Sequence, residues 1–176
     1  QTLLNSIAKK TTSYMEIGSA LGSTFCATLK DNSLNAIAID NWSGDIQPAN
    51  EDREELPENS EQTFRENVEK YKGNNLVEIV NSNLFAVDTS KYTDIQMWFY
   101  DGPHDPLSTA NAVEYYNDCF AQEAVLIFDD ANWEGVVDGA REGIQRIGAE
   151  IAYEKMLLNE EEDPEGWWNG LYVVVI

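Results

Sequence analysis

Five short polar segments, each directly after an apolar run, carry the residue types able to do chemistry: Glu16, Gly18, Ser19 and Gly22; Asp40, Asn41 and Trp42; Asn81, Ser82 and Asn83; Asp101, Gly102, Pro103 and His104; and Asp129 with Asp130. The glycines of Glu16-Ile-Gly-Ser-Ala-Leu-Gly22 let the chain turn sharply and let a ligand approach its backbone. No Gly-Lys-Ser/Thr follows, so the loop is not a P-loop, and its spacing departs from G-x-G-x-x-G. Asp40 lies 22 positions after Gly18, at the end of the next apolar run, where an acid can accept hydrogen bonds from both hydroxyls of a ribose. Together these point to a nucleoside-containing ligand. Glu16, with no basic partner nearby, suits a ligand bearing positive charge better than one bearing a pyrophosphate.

The elements that must position these residues follow from hydrophobic period. Tyr14–Ile17, Ala36–Ile39, Leu76–Val80, Ile95–Tyr100 and Ala124–Phe128 read as strands. Leu21, Phe25 and Leu29 share a helical face, as do Phe64, Val68 and Tyr71, with Ser60 as N-cap and Gly73 as stop. Asp105 before Pro106 is an N-cap and first-turn pair leading into Ala112, Val113, Tyr116 and Phe120; Val136, Ala140, Ile144 and Ile147 form the next helix. Two last strand-like runs, Glu150–Leu158 and Leu171–Ile176, are joined by the polar stretch Asn159–Gly170 with no helical segment, so they should pair antiparallel. Five strand and helix alternations predict an α/β fold, a doubly wound and mostly parallel sheet with an antiparallel C-terminal hairpin, in a single domain over 1–176. In such sheets ligands bind beyond the carboxyl ends of the strands, where all five polar segments fall, and these are expected to meet at one rim.

Charge narrows the partners. Eleven Lys and Arg against 32 Asp and Glu give a net charge of −21 with the one His neutral. No basic cluster offsets it, which makes phosphate backbones and anionic membranes poor partners. The 43% hydrophobic fraction still supplies a core. No apolar run approaches the roughly 20 residues of a transmembrane helix, and Lys9 and Lys10 lack the apolar segment a secretory signal needs. Cys26 and Cys119, alone and far apart, read as small core residues in a reducing, cytoplasmic setting. The acidic segment Asp45–Gln62, with seven acids, is a solvated loop or a lid; Glu160–Glu165 is a solvated turn.

Three stretches, Glu16-Ile-Gly-Ser-Ala-Leu-Gly-Ser, Ile39-Asp-Asn-Trp-Ser-Gly-Asp45, and Tyr100-Asp-Gly-Pro-His104 with Phe128-Asp-Asp-Ala-Asn-Trp-Glu-Gly135, give the chain its likeness to a known family. In order and spacing it resembles the class I S-adenosylmethionine-dependent methyltransferases, and among them the small O-methyltransferase-like group with its Rossmann-like sheet. The resemblance implies that Glu16, Gly18, Ser19 and Gly22 surround the methionine portion of S-adenosyl-L-methionine. It implies further that Asp40 holds the ribose, Asn41 and Trp42 border the adenine, Ser82 and Asn83 close that side, and Asp101 faces the amino acid end and the reaction centre. Cation-dependent relatives hold a divalent metal after the fourth and fifth strands, where Asp101, Asp129 and Asp130 match. A hard cation such as Mg²⁺ would relieve repulsion among three carboxylates and lower the pKa of a substrate hydroxyl; Asp129 or Asp130 capping the next helix is the alternative.

Methyl transfer from a sulfonium is an in-line displacement, so a protein positions the acceptor and takes up its proton. His104, the single His, has the ordinary pKa for a general base and is otherwise a loop residue bonded to backbone; Asp105 is the second choice. Relatives that use a cation often carry an acid two residues after the strand-four Asp, a position held here by Pro103. Trp133, Trp167 and Trp168 line an acceptor pocket or serve packing. The reading is O-methylation of a small-molecule hydroxyl, on a sugar or natural product, with S-adenosylmethionine and an optional Mg²⁺. The alternative from another class is a nucleotide-binding or interaction module without chemistry. With little chain before the first strand, the acceptor pocket is open or completed by a neighbouring copy in a homo-oligomer.

Overall fold

The computed structural model describes residues 2–43, 57–158 and 170–176. Most of the acidic loop, the Glu160–Glu165 turn, Trp167 and Trp168 lie outside the described residues. The chain divides into two compact units, Gln1–Val87 and Asp88–Ile176.

The first unit contains helix α1 (Thr2–Ala8), strand β1 (Ser13–Ile17), helix α2 (Ser23–Leu29), strand β2 (Asn35–Asp40), helix α3 (Ser60–Tyr71) and strand β3 (Leu76–Asn81). Its strands lie in the order β3-β2-β1, all parallel, with Met15 opposite Ile37 and Ile37 opposite Glu78. All five residues of β1 are buried, which explains why Ser-Tyr-Met-Glu-Ile shows no polar alternation: both faces of a parallel strand are covered. Tyr14, Met15, Phe25, Leu29, Ile39 and Phe64 form the core here, with Leu4 and Ala8 of α1 buried as well. Periodicity did not disclose α1, which is only two turns long. It is held by Asn5, whose Nδ2 donates to the carbonyls of Ala27 at 3.0 Å and Lys30 at 2.6 Å, satisfying the loose end of α2. Asn59, not Ser60, is the N-cap of α3; Ser60 is its first helical residue and turns its hydroxyl back to the Pro57 carbonyl.

The second unit contains strand β4 (Ile95–Tyr100), helix α4 (Pro106–Tyr115), strand β5 (Phe120–Asp129), helix α5 (Glu134–Arg146) and strands β6 (Tyr153–Leu157) and β7 (Leu171–Val175). The order is β4-β5-β7-β6: β4 and β5 are parallel, while β7 pairs antiparallel with both β5 and β6, as the missing crossover helix predicts. Trp98 anchors an aromatic core with Tyr100, Tyr116, Phe120 and Phe128 around it. Phe120, expected on the helical face of α4, instead opens β5 after the short 3₁₀ turn Asn117–Cys119. Between β3 and β4 only the 3₁₀ turns Leu84–Ala86 and Thr89–Lys91 occur, so that connection lacks the helix an uninterrupted alternation would have. Helices α4 and α5 approach closely because α5 presents Gly135, Gly139 and Gly143; a Cβ on Gly139 would lie 2.4 Å from the Pro106 carbonyl oxygen. Cys26 and Cys119 are both buried free thiols. No helix among the described residues is long and apolar enough to cross a membrane.

Candidate functional site

In the first unit the chain leaves β1 through Gly18, at φ 81°, whose N–H donates to the Ile39 carbonyl at 2.9 Å and so keeps the loop beside β2. Asp40, at the end of β2, accepts the Ala20 N–H on Oδ2 and the Trp42 N–H on Oδ1, both at 2.8 Å. The Trp42 indole N–H returns to the Ala20 carbonyl at 2.7 Å. Ala20 and Trp42 both take left-handed backbone, at φ 44° and 46°, which costs an L-residue energy and persists because these bonds over-determine it. Gly22 closes the loop at φ 87°, and a Cβ there would press into the Phe64 ring at 2.9 Å. Ser82 donates its N–H to the Asp40 carbonyl at 3.0 Å, which brings the end of β3 to the same edge. Asn83 is exposed and accepts the Phe85 N–H at 2.9 Å; Asn41 is exposed and accepts the Ser43 N–H at 3.2 Å.

Two residues of this set are internal. Glu16 is wholly buried, taking hydroxyl bonds from Tyr14 on Oε2 and from Thr24 on Oε1 at 3.0 Å. Burial, with this carboxylate alongside, pushes the Cys26 thiol up to about 11, so it is inert at neutral pH. Ser19 is 2% exposed, and its Oγ has no hydrogen-bond partner among the described residues. A buried hydroxyl left in that state is costly, and a ligand atom is what would satisfy it.

In the second unit a different cluster forms. His104 Nε2 lies 2.6 Å from Asp130 Oδ2 and 3.6 Å from Asp101 Oδ1, in a side chain only 12% exposed. The N–H does not line up with either oxygen, so the contact is an ion pair by proximity. Burial pulls the imidazole pKa down, yet the close contacts with Asp101 and Asp130 and their charges outweigh it and push it up to about 9. The Trp133 ring stands edge-on to His104 at 4.8 Å. Donor atoms of Asp101, His104 and Asp130 all fall within 4.8 Å of one another. Asp129 is not in this trio: its Oδ1 accepts the Asp130 N–H at 2.9 Å. Neither acid caps α5, whose N-cap is Trp133; Asp130 sits at φ 56°, a turn that aims it away from its neighbour's direction.

The loop carrying His104 is braced from below. The Tyr100 hydroxyl donates to the Pro103 carbonyl at 2.8 Å, and a Cβ on Gly102 would meet the Tyr100 ring at 2.8 Å. Asp105 accepts the Ser108 N–H at 2.9 Å as the expected cap; burial raises its pKa, but the bonds from Ser108 and from backbone bring it below the usual carboxylate value. That capping duty removes Asp105 as a ready proton acceptor. The bracing role of Tyr100 and Gly102 has no mark in the sequence, although Asp101-Gly-Pro-His104 carries the signal for the site, since a spacing of three across a tight turn lets both side chains reach one point.

A family model described as a methyltransferase domain matches residues 15–131. No curated protein matches the chain. Among solved structures, a methyltransferase from Geobacter sulfurreducens has a TM-score of 0.68 at 17% identity, with 99% of this chain and 76% of that one covered. An O-methyltransferase from Bacillus cereus in complex with SAH has a TM-score of 0.65 at 17% identity, covering 99% and 79%. An SAH-bound methyltransferase from Podospora anserina has a TM-score of 0.62 at 13% identity, covering 98% and 76%. Likeness over nearly the whole chain shows the Rossmann-like methyltransferase fold, mostly parallel with an antiparallel C-terminal pair. With the family model covering more than half of its residues, the chain belongs to the methyltransferase-domain family, as an S-adenosylmethionine-dependent methyltransferase.

Proposed function

We propose that this protein transfers a methyl group from S-adenosylmethionine to a hydroxyl of a small molecule, with His104 as proton acceptor. The observation that carries the reading is the trio Asp101, His104 and Asp130, a potential base held between two carboxylates at the ends of β4 and β5. In the first unit, Gly18 and the orphaned Ser19 hydroxyl would receive the methionine portion of the cofactor. Asp40, which retains lone pairs beyond its two backbone bonds, would hold the ribose, with Asn41, Trp42, Ser82 and Asn83 around the adenine. Glu16 supports that loop from inside rather than from its surface. The family match runs through both units, from 15 to 131, which favours one methyltransferase domain over 1–176.

Atoms balance simply. The acceptor oxygen attacks the sulfonium methyl in line, the O–CH₃ bond forms as the S–CH₃ bond breaks, and the electron pair returns to sulfur to leave S-adenosylhomocysteine. The hydroxyl proton would pass to neutral His104, whose imidazolium Asp101 and Asp130 stabilise. Because those carboxylates raise the imidazole pKa to about 9, the neutral form arises as that proton is released to solvent, so turnover should rise as pH approaches 9.

The trio also fits a divalent cation. Asp101 and Asp130 offer the oxygens Mg²⁺ prefers, and the imidazole nitrogen extends the set to Mn²⁺. Asp101 and Asp130 would hold the ion. When bound, it supplies positive charge that acidifies a nearby hydroxyl and disfavours protonation of His104. Calorimetry with S-adenosylhomocysteine, followed by turnover on a panel of hydroxylated sugars and phenols with Mg²⁺, Mn²⁺ or EDTA, tests the proposal. Binding together with turnover lost in His104→Gln supports it. Cofactor binding with no turnover on any acceptor, or full activity of His104→Gln, would overturn it. The net charge of −21 argues against nucleic acid as the acceptor.

A further inference from the structure

We infer that Trp42 is a positioning residue of the cofactor loop, acting through the Ala20 carbonyl rather than as a flat surface for the adenine. The inference rests on the reading that this loop receives S-adenosylmethionine, and deepens it. Three hydrogen bonds form a closed ring: Ala20 N–H to Asp40, Trp42 N–H to the other oxygen of Asp40, and the Trp42 indole N–H to the Ala20 carbonyl. Two of its members, Ala20 and Trp42, are non-glycine residues in left-handed backbone, a conformation that relaxes unless it is held from several sides.

The indole is itself fixed. Its ring packs on Phe64 at 5.2 Å and 45°, and Phe64 is wholly buried, touching Phe25 at 5.6 Å. The same Phe64 leaves room only for glycine at position 22, where the loop ends. One buried ring of α3 therefore seats both the indole that pins Ala20 and the glycine that closes the turn. Asn67, one turn further along α3, donates to the Leu21 carbonyl at 2.9 Å, so successive loop carbonyls are tied to side chains rather than left to water. With one ring face on Phe64 and its N–H spent on Ala20, Trp42 is committed to the protein. Its effect on the ligand is to keep the backbone of 18–20, and the buried Ser19 hydroxyl among it, in one arrangement before binding.

Trp42→Phe keeps an aromatic ring on Phe64 and deletes only the indole N–H. Two readouts are taken: amide hydrogen exchange of the peptide 17–22 in the ligand-free protein, and the dissociation constant of S-adenosylhomocysteine by calorimetry. The expected result is faster exchange in 17–22 with an unchanged melting temperature, and affinity weakened roughly three- to tenfold, the worth of one backbone-directed hydrogen bond. Unchanged exchange with affinity within twofold of the parent would overturn the inference. So would weakened affinity with unchanged exchange, since Trp42 would then act on the ligand directly. If the parent itself does not bind S-adenosylhomocysteine, the cofactor reading fails, while the exchange comparison still decides whether Trp42 pins the loop. Should Trp42→Phe not fold, Asp40→Asn, which leaves one of the two N–H groups without a carboxylate oxygen, must accelerate exchange of the same peptide; no change there overturns the ring as well.

Discussion

Replacing Gly139 by Ala should destabilise this protein although the residue sits in the middle of a helix. On propensity alone Gly→Ala stabilises a helix interior by about 1 kcal/mol. Here the new methyl would lie 2.4 Å from the Pro106 carbonyl oxygen, 2.8 Å from Thr109 Cβ and 2.9 Å from Pro106 Cα. Two of those atoms are backbone at the first turn of α4, and no rotamer can move them. Ordinary contact requires the helices to part by roughly 1 Å, an overpacking cost of about 1–3 kcal/mol before the propensity gain is subtracted. Subtracting the gain leaves a net loss of up to about 2 kcal/mol, a melting temperature lower by up to roughly 8 °C for a chain of this size. Two neighbours grade the effect. At Gly143 the methyl would meet Val113 Cβ at 2.7 Å and the Ala110 carbonyl at 2.9 Å, and at Gly135 the Pro106 ring at 3.2 Å and the His104 carbonyl at 3.5 Å. Thermal unfolding should rank Gly139→Ala as most harmful, Gly143→Ala next and Gly135→Ala near the parent. A Gly139→Ala protein as stable as the parent, or less affected than Gly135→Ala, would refute the reasoning. There is a second reading of the same variant. Helix α4 starts two residues after His104 and α5 four residues after Asp130, so parting them should stretch the 2.6 Å contact of His104 with Asp130. Since the chain has one His, its imidazole resonance is unambiguous, and its pKa should fall in Gly139→Ala.

Other outcomes follow from the same geometry. His104, at about 9 when folded against an ordinary 6.5, binds its proton more tightly in the native state, so its contribution is complete below pH 6.5 and is lost as pH rises through 9. Cation-free protein should therefore lose roughly 1–3 kcal/mol over that range in denaturant titrations, and Asp130→Asn should flatten the profile. Asp40→Ala removes the acceptor of two backbone N–H groups as well as the ribose partner; S-adenosylhomocysteine affinity measured by calorimetry should drop by about 1–3 kcal/mol, and an unchanged value excludes the assignment. On the far edge of the second unit, Arg141 of α5 and Tyr172 of β7 both bind Glu154 of β6 and hold its carboxyl below the usual value. Its stabilisation is present above pH 4.5 and disappears as pH falls through the lowered pKa. With the ion pair about half exposed, Glu154→Gln should cost under about 1 kcal/mol by chemical denaturation and reduce that acid sensitivity.

Much of the frame was legible in residue order. Ile95–Tyr100 was read to the residue because an unbroken apolar run between polar turns is what a strand covered on both faces requires. The antiparallel terminal pair followed from the lack of a helical segment, and the cap of α4 from Asp105 before Pro106, since both are consequences of local chain geometry. Residue order also placed Asp40 at the end of a strand and Gly18, Asp101 and Asp130 just after one, where parallel α/β sheets put their chemistry. What it left open was direction. Glu16 and Ser19 face inward, and Asp130 rather than Asp129 joins His104, because a single left-handed turn at Asp130 decides which of two adjacent carboxylates points to the imidazole. Phe120 moved from a helical face to a strand because a 3₁₀ turn ended the helix early, and Trp42 turned to Phe64 and Ala20 because a buried ring lay within reach. Local sequence sets period and termination. The aim of a side chain at the end of an element depends on backbone turns and on how closely the next helix can approach, and three glycines of α5 decide the latter only once α4 lies against them.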